Sequence, residues 1–130
     1  MTLRGKPVVG GRVRGEVLFS PEPISFLGGV DPETGVIIDK KHPLYGKSIS
    51  GKILVFPHGK GSTVGSYVIY NLRLRNAAPA GMINRKTEPI VAAGAILAEI
   101  PVIHCIDIEK LRDAHLVEMD GNTGDVRILE

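Results

Sequence analysis

Hydrophobic and polar positions follow two different periods along the chain. Residues 7–19, Pro-Val-Val-Gly-Gly-Arg-Val-Arg-Gly-Glu-Val-Leu-Phe, alternate around glycines and predict β structure with a bend. Residues 53–56, Ile-Leu-Val-Phe, form a short apolar run with a β-branched residue at every second position, which suits a buried strand. Pro57 ends that run, because proline has no N–H for a ladder. Residues 64–76 contain no proline, and only Gly65 interrupts a helix-compatible composition. Residues 82–84 predict a further buried strand. A second helix is expected over 90–97, with Pro89 in its first turn, Glu88 or Thr87 near its cap and Pro101 as its stop. Residues 102–106 read as a strand and 109–113 as a helical turn. Residues 116–119 and 126–129 flank Asp120-Gly121-Asn122-Thr123-Gly124, a hairpin signal.

Strands outnumber helices, and both helices follow strands. The expected fold is therefore α/β: a compact β/α domain with a mixed sheet. Residues 20–50 are rich in proline and glycine, and only 36–38 look like a short strand. An irregular stretch of that length in a small domain serves function or caps a surface. No repeat and no low-complexity linker divides the chain, so one domain over residues 1–130 is expected.

Composition narrows the function classes. Hydrophobic residues make up 43%, enough for a core, but aromatics are only 5% and tryptophan is absent. That removes most of the stacking surface a nucleic-acid binder uses. Arg4, Lys6, Arg12 and Arg14 precede the first acid, Glu16, yet they interleave with valines, as the water-facing side of a strand would. Residues 1–104 hold 13 cations and 7 anions, whereas residues 105–130 hold 3 and 7. The basic excess thus lies with the first part of the chain, as a solvated surface or as a cleft for an anionic ligand. The single cysteine, Cys105, cannot form an internal disulfide and sits in an apolar stretch, where a buried thiol is expected. No hydrophobic run has signal-peptide or membrane-spanning length, and a soluble cytoplasmic protein without membrane or nucleic-acid partners is the expectation.

The candidate chemistry lies in Gly59-Lys60-Gly61-Ser62-Thr63, between the strand at 53–56 and the helix from 64. Gly59 and Gly61 permit a tight, left-handed backbone, and Ser62 and Thr63 are good N-cap residues. A loop of this kind presents N–H groups and a partial positive charge in front of Ser62, a seat for a carboxylate or phosphate. The order of residues does not match the Walker motif, the dinucleotide fingerprint or the nucleophile elbow. Ser62 is thus either a cap or a reactive hydroxyl. Lys60 is placed to hold an anion as a point charge, and His58 either orients a ligand or bonds at the strand end. Arg73 and Arg75 complement the helix dipole. Arg85 and Lys86 are cations without a place assigned by the pattern. His42, His104 and His115 lack metal-ligand spacing.

Residues 26–35, Phe-Leu-Gly-Gly-Val-Asp-Pro-Glu-Thr-Gly, then Ile37-Ile38-Asp39, His42-Pro43-Leu44 and residues 51–63 resemble the small subunit of the aconitase X group. Within that group, the similarity is nearest to archaeal phosphomevalonate dehydratases. The resemblance covers nearly the whole chain, and the Gly-Gly-Val-Asp-Pro-Glu-Thr-Gly block is its specific part. It implies a swivelling β/β/α domain like the small domain of aconitase-type dehydratases. It implies a large partner subunit that holds a 4Fe-4S cluster through its own cysteines, with iron acting as Lewis acid on the leaving hydroxyl, and an active site between the two subunits. The implied reaction is the hydro-lyase step from (R)-5-phosphomevalonate to trans-anhydromevalonate 5-phosphate in archaeal isoprenoid synthesis. Ser62 matches the family's proton-removing serine; the loop chemistry read above makes Lys60, Gly61 and Thr63 the expected substrate-binding residues around it, with no metal ligand expected on this chain. Two other readings stay open: a cis-3-hydroxyproline dehydratase subunit, or a non-catalytic anion-binding domain. The broader aconitase pattern has an arginine soon after the loop serines; here Val64-Gly65-Ser66 follows, so the resemblance does not carry over the mode of carboxylate recognition, and the departure matches a dehydratase with a different substrate.

Overall fold

The four side chains of the strand at Ile53–Phe56 alternate between two separate cores. The computed structural model describes residues 1–130. In it Ile53 and Val55 join a cluster with Ile83, Ile103, Val117 and Met119, while Leu54 and Phe56 join another with Ile69, Leu72, Val91 and Ala95. All four residues are fully buried. A strand covered on both faces has no polar side, which is why its sequence is a continuous apolar run.

In chain order the elements are β1 (Thr2–Arg4), β2 (Lys6–Val9), β3 (Arg12–Phe19), β4 (Ile24–Ser25), α1 (Phe26–Gly29), β5 (Ile53–Phe56), β6 (Gly59–Lys60), α2 (Gly65–Leu74), β7 (Gly81–Asn84), α3 (Pro89–Ala98), β8 (Val102–His104), a 3-10 turn at Ile108–Leu111, β9 (Leu116–Asp120) and β10 (Asp125–Ile128). The main sheet has the order β1-β10-β9-β3-β5-β7-β8-β2. The inner run β3-β5-β7-β8 is parallel, and β9, β10, β1 and β2 add antiparallel neighbours. This is the expected mixed sheet.

β1 and β2 stand at opposite ends of that order, yet only Gly5 separates them in the chain. The sheet must therefore curl until its edges meet, which leaves few unpaired edge groups. Gly5 sits at the seam, where its N–H donates to the Gly124 carbonyl at 2.8 Å. A side chain there would collide with the carbonyl of His104. The curled sheet encloses the Ile53–Val55 core, and α2 and α3 cover the opposite side of β5, β7 and β8. The layers are β, β and α.

On the outer face of β3, Arg12 and Arg14 reach Glu118 of β9 at 3.0 and 3.8 Å, and Arg127 of β10 reaches it at 3.2 Å. The basic N-terminal stretch is thus a solvated strand face, as its alternation predicts.

Four local expectations are corrected. The strand expected at 36–38 is only a pair of isolated bridges, Val30 to Ile37 and Val36 to Ser48. The stretch around it caps the outer core with Ile24, Phe26, Val30, Ile37, Leu44 and Ile49. His42 pins this cap: its Nδ1 accepts the Leu44 N–H at 3.0 Å and its Nε2 faces the Pro23 carbonyl at 3.2 Å. α3 ends before Pro101, because Glu99 turns left-handed at φ 57° and closes the last turn. β8 stops at His104 instead of continuing to residue 106. Cys105 is consequently exposed, with φ 61°, and not the buried thiol expected. The chain reverses there, Cys105 N–H donates to the Arg85 carbonyl at 3.1 Å, and Ile106 enters the core in its place.

Candidate active site

The loop that follows β5 is fixed at both ends and open in the middle. Gly59 and Lys60 pair in parallel with Ile24 and Ser25, so β6 is anchored to β4. Gly59 is therefore extended, and only Gly61 takes the left-handed backbone, at φ 91°. The positive φ favours glycine here, and a Cβ would also lie 2.6 Å from the Ser25 hydroxyl, which would have to turn aside.

Ser62 and Thr63 do not cap α2 by their side chains, contrary to expectation. The helix starts at Gly65, one turn later, and Val64 at its N-cap position has no side-chain acceptor. The carbonyls of Ser62 and Thr63 instead accept the N–H groups of Gly65 and Ser66 at 2.9 and 3.2 Å. The Ser62 hydroxyl accepts the Val64 N–H at 3.2 Å and makes no other hydrogen bond. It is exposed, and its proton is uncommitted. The N–H groups of Gly61, Ser62 and Thr63 find no acceptor in the chain. Three consecutive free donors before a helix make a seat for an anion.

Lys60 and Thr63 flank this seat, both exposed. Lys60 takes part in no ion pair, because the molecule's ion pairs lie elsewhere. His58 turns to its own loop: its Nδ1 donates to the Gly59 carbonyl at 2.7 Å, leaving Nε2 free. Lys60, Gly61, Ser62 and Thr63 are thus brought together. His58 stands at the rim, and His42, His104 and His115 do not join them.

A second loop, between β7 and α3, clasps the first from below. The Asn84 side chain donates to the Phe56 carbonyl at 3.1 Å, and the Thr87 hydroxyl donates to Asn84 Oδ1 at 2.8 Å. The N–H groups of Arg85 and Lys86 both donate to the Pro57 carbonyl, at 3.1 and 3.2 Å. The Thr87 N–H donates to His104 Nδ1 at 3.1 Å, and Glu88 caps α3 by accepting from Ile90 and Val91, each at 2.8 Å. His104 is held below the ordinary histidine range, by partial burial first and then by the charges of Lys6 and Lys86. The sequence signals only part of this clasp: a polar Asn84 closing an apolar strand marks a special position.

The principal surface cavities lie elsewhere; one of about 320 Å³ is lined by Ser50, Arg73, Asn76 and Glu99 among others. Ser62 stands on open surface, so a substrate there needs a second wall. The chain's donor set does not fit an iron–sulfur cluster, since its lone cysteine is exposed and no three His, Cys, Asp or Glu side chains converge.

A family model described as the aconitase X swivel domain matches residues 2–128. The chain belongs to the aconitase X swivel-domain family. The phosphomevalonate dehydratase small subunit of Thermococcus kodakarensis is 53% identical over 130 residues, covering 100% of this chain and 98% of the relative. The protein of the same name from Pyrococcus abyssi is 54% identical, covering 99% of each chain. Its namesake from Methanosarcina acetivorans is 51% identical over 98% of this chain and 91% of the relative. The crystal structure of T. kodakaraensis aconitase X in its holo-form superimposes with a TM-score of 0.97, at 52% identity, over 100% of this chain and 99% of that one. The solution NMR structure of a UPF0107 protein superimposes with a TM-score of 0.89, at 43% identity, over the full length of both chains. The resemblance read from residues 26–63 and the swivelling-domain fold expected with it both hold. No helix of this swivel domain is long and apolar enough to cross a membrane.

Proposed function

We propose that this aconitase X swivel domain is the small subunit of a two-subunit hydro-lyase, with Ser62 as the proton acceptor. Its reaction is the dehydration of (R)-5-phosphomevalonate to trans-anhydromevalonate 5-phosphate, in the archaeal mevalonate route to isoprenoids and in the cytoplasm. Residues 1–130 act as one domain, and the active site closes only against a large partner. Relatives named phosphomevalonate dehydratase small subunits, similar over their full length, support the activity. The observation that carries the role of Ser62 is its exposed, uncommitted hydroxyl beside three free N–H groups.

The chemistry divides as follows. Elimination of water takes a proton from the carbon next to the carboxylate, the electrons of the broken C–H bond form the double bond, and hydroxide leaves the next carbon with the C–O electron pair, toward the large subunit, where the cluster implied by the family would supply Lewis acidity. Ser62 takes the proton. A serine hydroxyl normally keeps its own proton at neutral pH, so the loop must favour the alkoxide. The positive end of α2 and the Lys60 ammonium both act in that direction. The free N–H groups of Gly61, Ser62 and Thr63 suit the substrate carboxylate, which gathers negative charge as the proton leaves, and donors at that point lower the barrier. They also take over the recognition that an arginine after the loop provides in aconitase. The 4Fe-4S cluster implied by the family belongs to the large subunit.

The test is to assemble the chain with its large partner and assay dehydration of 5-phosphomevalonate, with cis-3-hydroxyproline as comparison substrate. Turnover of the phosphorylated acid, lost in an assembled Ser62→Ala complex, supports the reading. Turnover undiminished by that change refutes the role of Ser62, and turnover of hydroxyproline alone refutes the substrate.

A further inference from the structure

We propose that Arg85 and Lys86 form the subsite for the substrate's phosphate group. This rests on the dehydratase reading above and names the part of the chain that selects a phosphorylated acid.

Two observations place the pair. Their N–H groups share the Pro57 carbonyl, so the backbone carrying both cations is bolted to the first residue of the Ser62 loop. Neither side chain has a carboxylate oxygen within 4.0 Å, although carboxylates are near. Glu88 is consumed by the α3 cap, and Glu109 is held in a two-point pair with Arg112 at 2.8 and 3.0 Å. Both cations are therefore free of any ion pair, and their field is felt: Arg85 helps to lower Glu109 through space, and Lys86 helps to hold His104 below its ordinary range.

The support beneath the pair is more polar than a plain connection needs. Asn84 is fully buried, yet its amide is spent on the Phe56 carbonyl and the Thr87 hydroxyl. This fixes the turn before any ligand arrives, and a preorganised charged site binds at lower entropic cost. A phosphomonoester carries between one and two negative charges at neutral pH and three acceptor oxygens. An arginine fork grips two of these oxygens, and a lysine neutralises the remaining charge. The acid to be dehydrated carries its carboxylate at one end and its phosphate at the other. The free N–H groups around Ser62 suit the first, and cations one loop away suit the second.

The test uses the assembled two-subunit enzyme and the variants Arg85→Gln, Lys86→Gln and the double change. The KM for 5-phosphomevalonate should rise roughly tenfold or more in the double variant, with kcat within a few-fold, because a charge-assisted contact is lost far from the reacting carbon. Inorganic phosphate should compete with substrate in the parent enzyme, and its inhibition constant should rise by a similar factor. Arg85→Lys, which keeps the charge but loses the fork, should fall between. An unchanged KM and unchanged phosphate inhibition in assembled variants overturn the proposal. So does loss of assembly with the KM intact in the assembled fraction, which would make the pair a subunit contact. If the parent enzyme dehydrates only an unphosphorylated acid, the substrate reading fails by itself. Phosphate inhibition of that reaction then still reads the subsite, and its absence overturns it.

Discussion

Asn84 donates its side-chain amide to the main-chain carbonyl of Phe56 at 3.1 Å, tying the end of β7 to the last residue of β5. The bond lies one residue before Pro57, where the loop carrying Ser62 leaves the sheet. Replacing Asn84 by alanine would take its amide partner from the fully buried Phe56 carbonyl and leave the half-buried Thr87 hydroxyl without its acceptor. An unsatisfied buried group costs about 1–3 kcal/mol. Asn84→Ala should therefore lower unfolding stability by about 2 kcal/mol, read as a lower urea midpoint at unchanged slope. Turnover should fall too, because the bond holds the loop's root. An unchanged midpoint would show that the amide carries no such load.

Ser62 predicts the opposite separation. Its hydroxyl is exposed and bonds only to the Val64 N–H, so Ser62→Ala should shift stability by no more than about 0.5 kcal/mol. A positioned proton acceptor contributes about 10²–10⁴ in rate, so turnover of the assembled enzyme should fall by that order. Parallel measurement of melting and turnover checks both halves. A large stability loss would mean that the serine is chiefly a structural turn residue.

Gly61 tests whether the loop's shape matters apart from its chemistry. Gly61→Ala places a Cβ at φ 91° and 2.6 Å from the Ser25 hydroxyl. The backbone part costs about 1–2 kcal/mol, and the collision must be relieved by turning the Ser25 hydroxyl away from the Leu27 carbonyl it donates to or by a small shift of the loop. Turnover should drop although Ser62 is intact. Adding Ser25→Ala removes the collision but not the backbone strain, so the double variant should recover only part of the loss. Full recovery would show that the left-handed backbone is dispensable.

These elements differ in how far the chain announces them. β5 and β7 are local: a run of four residues, β-branched at alternate positions in β5 and ended by proline or a polar residue, is too short for a helix and suits a strand buried on both faces. α3 is local too, because Glu88-Pro89 caps it with its own side chain and fixed φ. Ser62 was legible as a residue of the loop but not in its geometry. N-cap composition suggested a cap, whereas the main chain makes an extra turn first and leaves the hydroxyl free. The seam at Gly5 could not be read from pattern, since it depends on the sheet curling through all its strands. Cys105 misled because apolar neighbours suggest burial, while a reversal of the chain put Ile106 inward instead. Arg85 and Lys86 are ordinary surface cations in the sequence. Only the shared Pro57 carbonyl assigns them a place.

His104 makes the clasp sensitive to acid. Its Nδ1 accepts the Thr87 N–H, so the folded state requires an unprotonated ring nitrogen there. Partial burial, Lys6 and Lys86 all oppose the charged form, and the folded pKa lies below the unfolded value of about 6.5. Between these two values the unfolded chain binds more protons than the folded one, so stability falls as pH falls through that window and is complete above it. Unfolding measured from pH 7.5 to pH 5 should show this acid-side loss. His104→Gln should flatten it, because glutamine does not titrate. Lys86→Gln should move the loss to lower stability change at the same pH, since one of the charges opposing protonation is gone. A profile unaltered by His104→Gln would place the acid sensitivity elsewhere, in carboxylates such as Glu118 and Asp125 that arginines hold below their usual range.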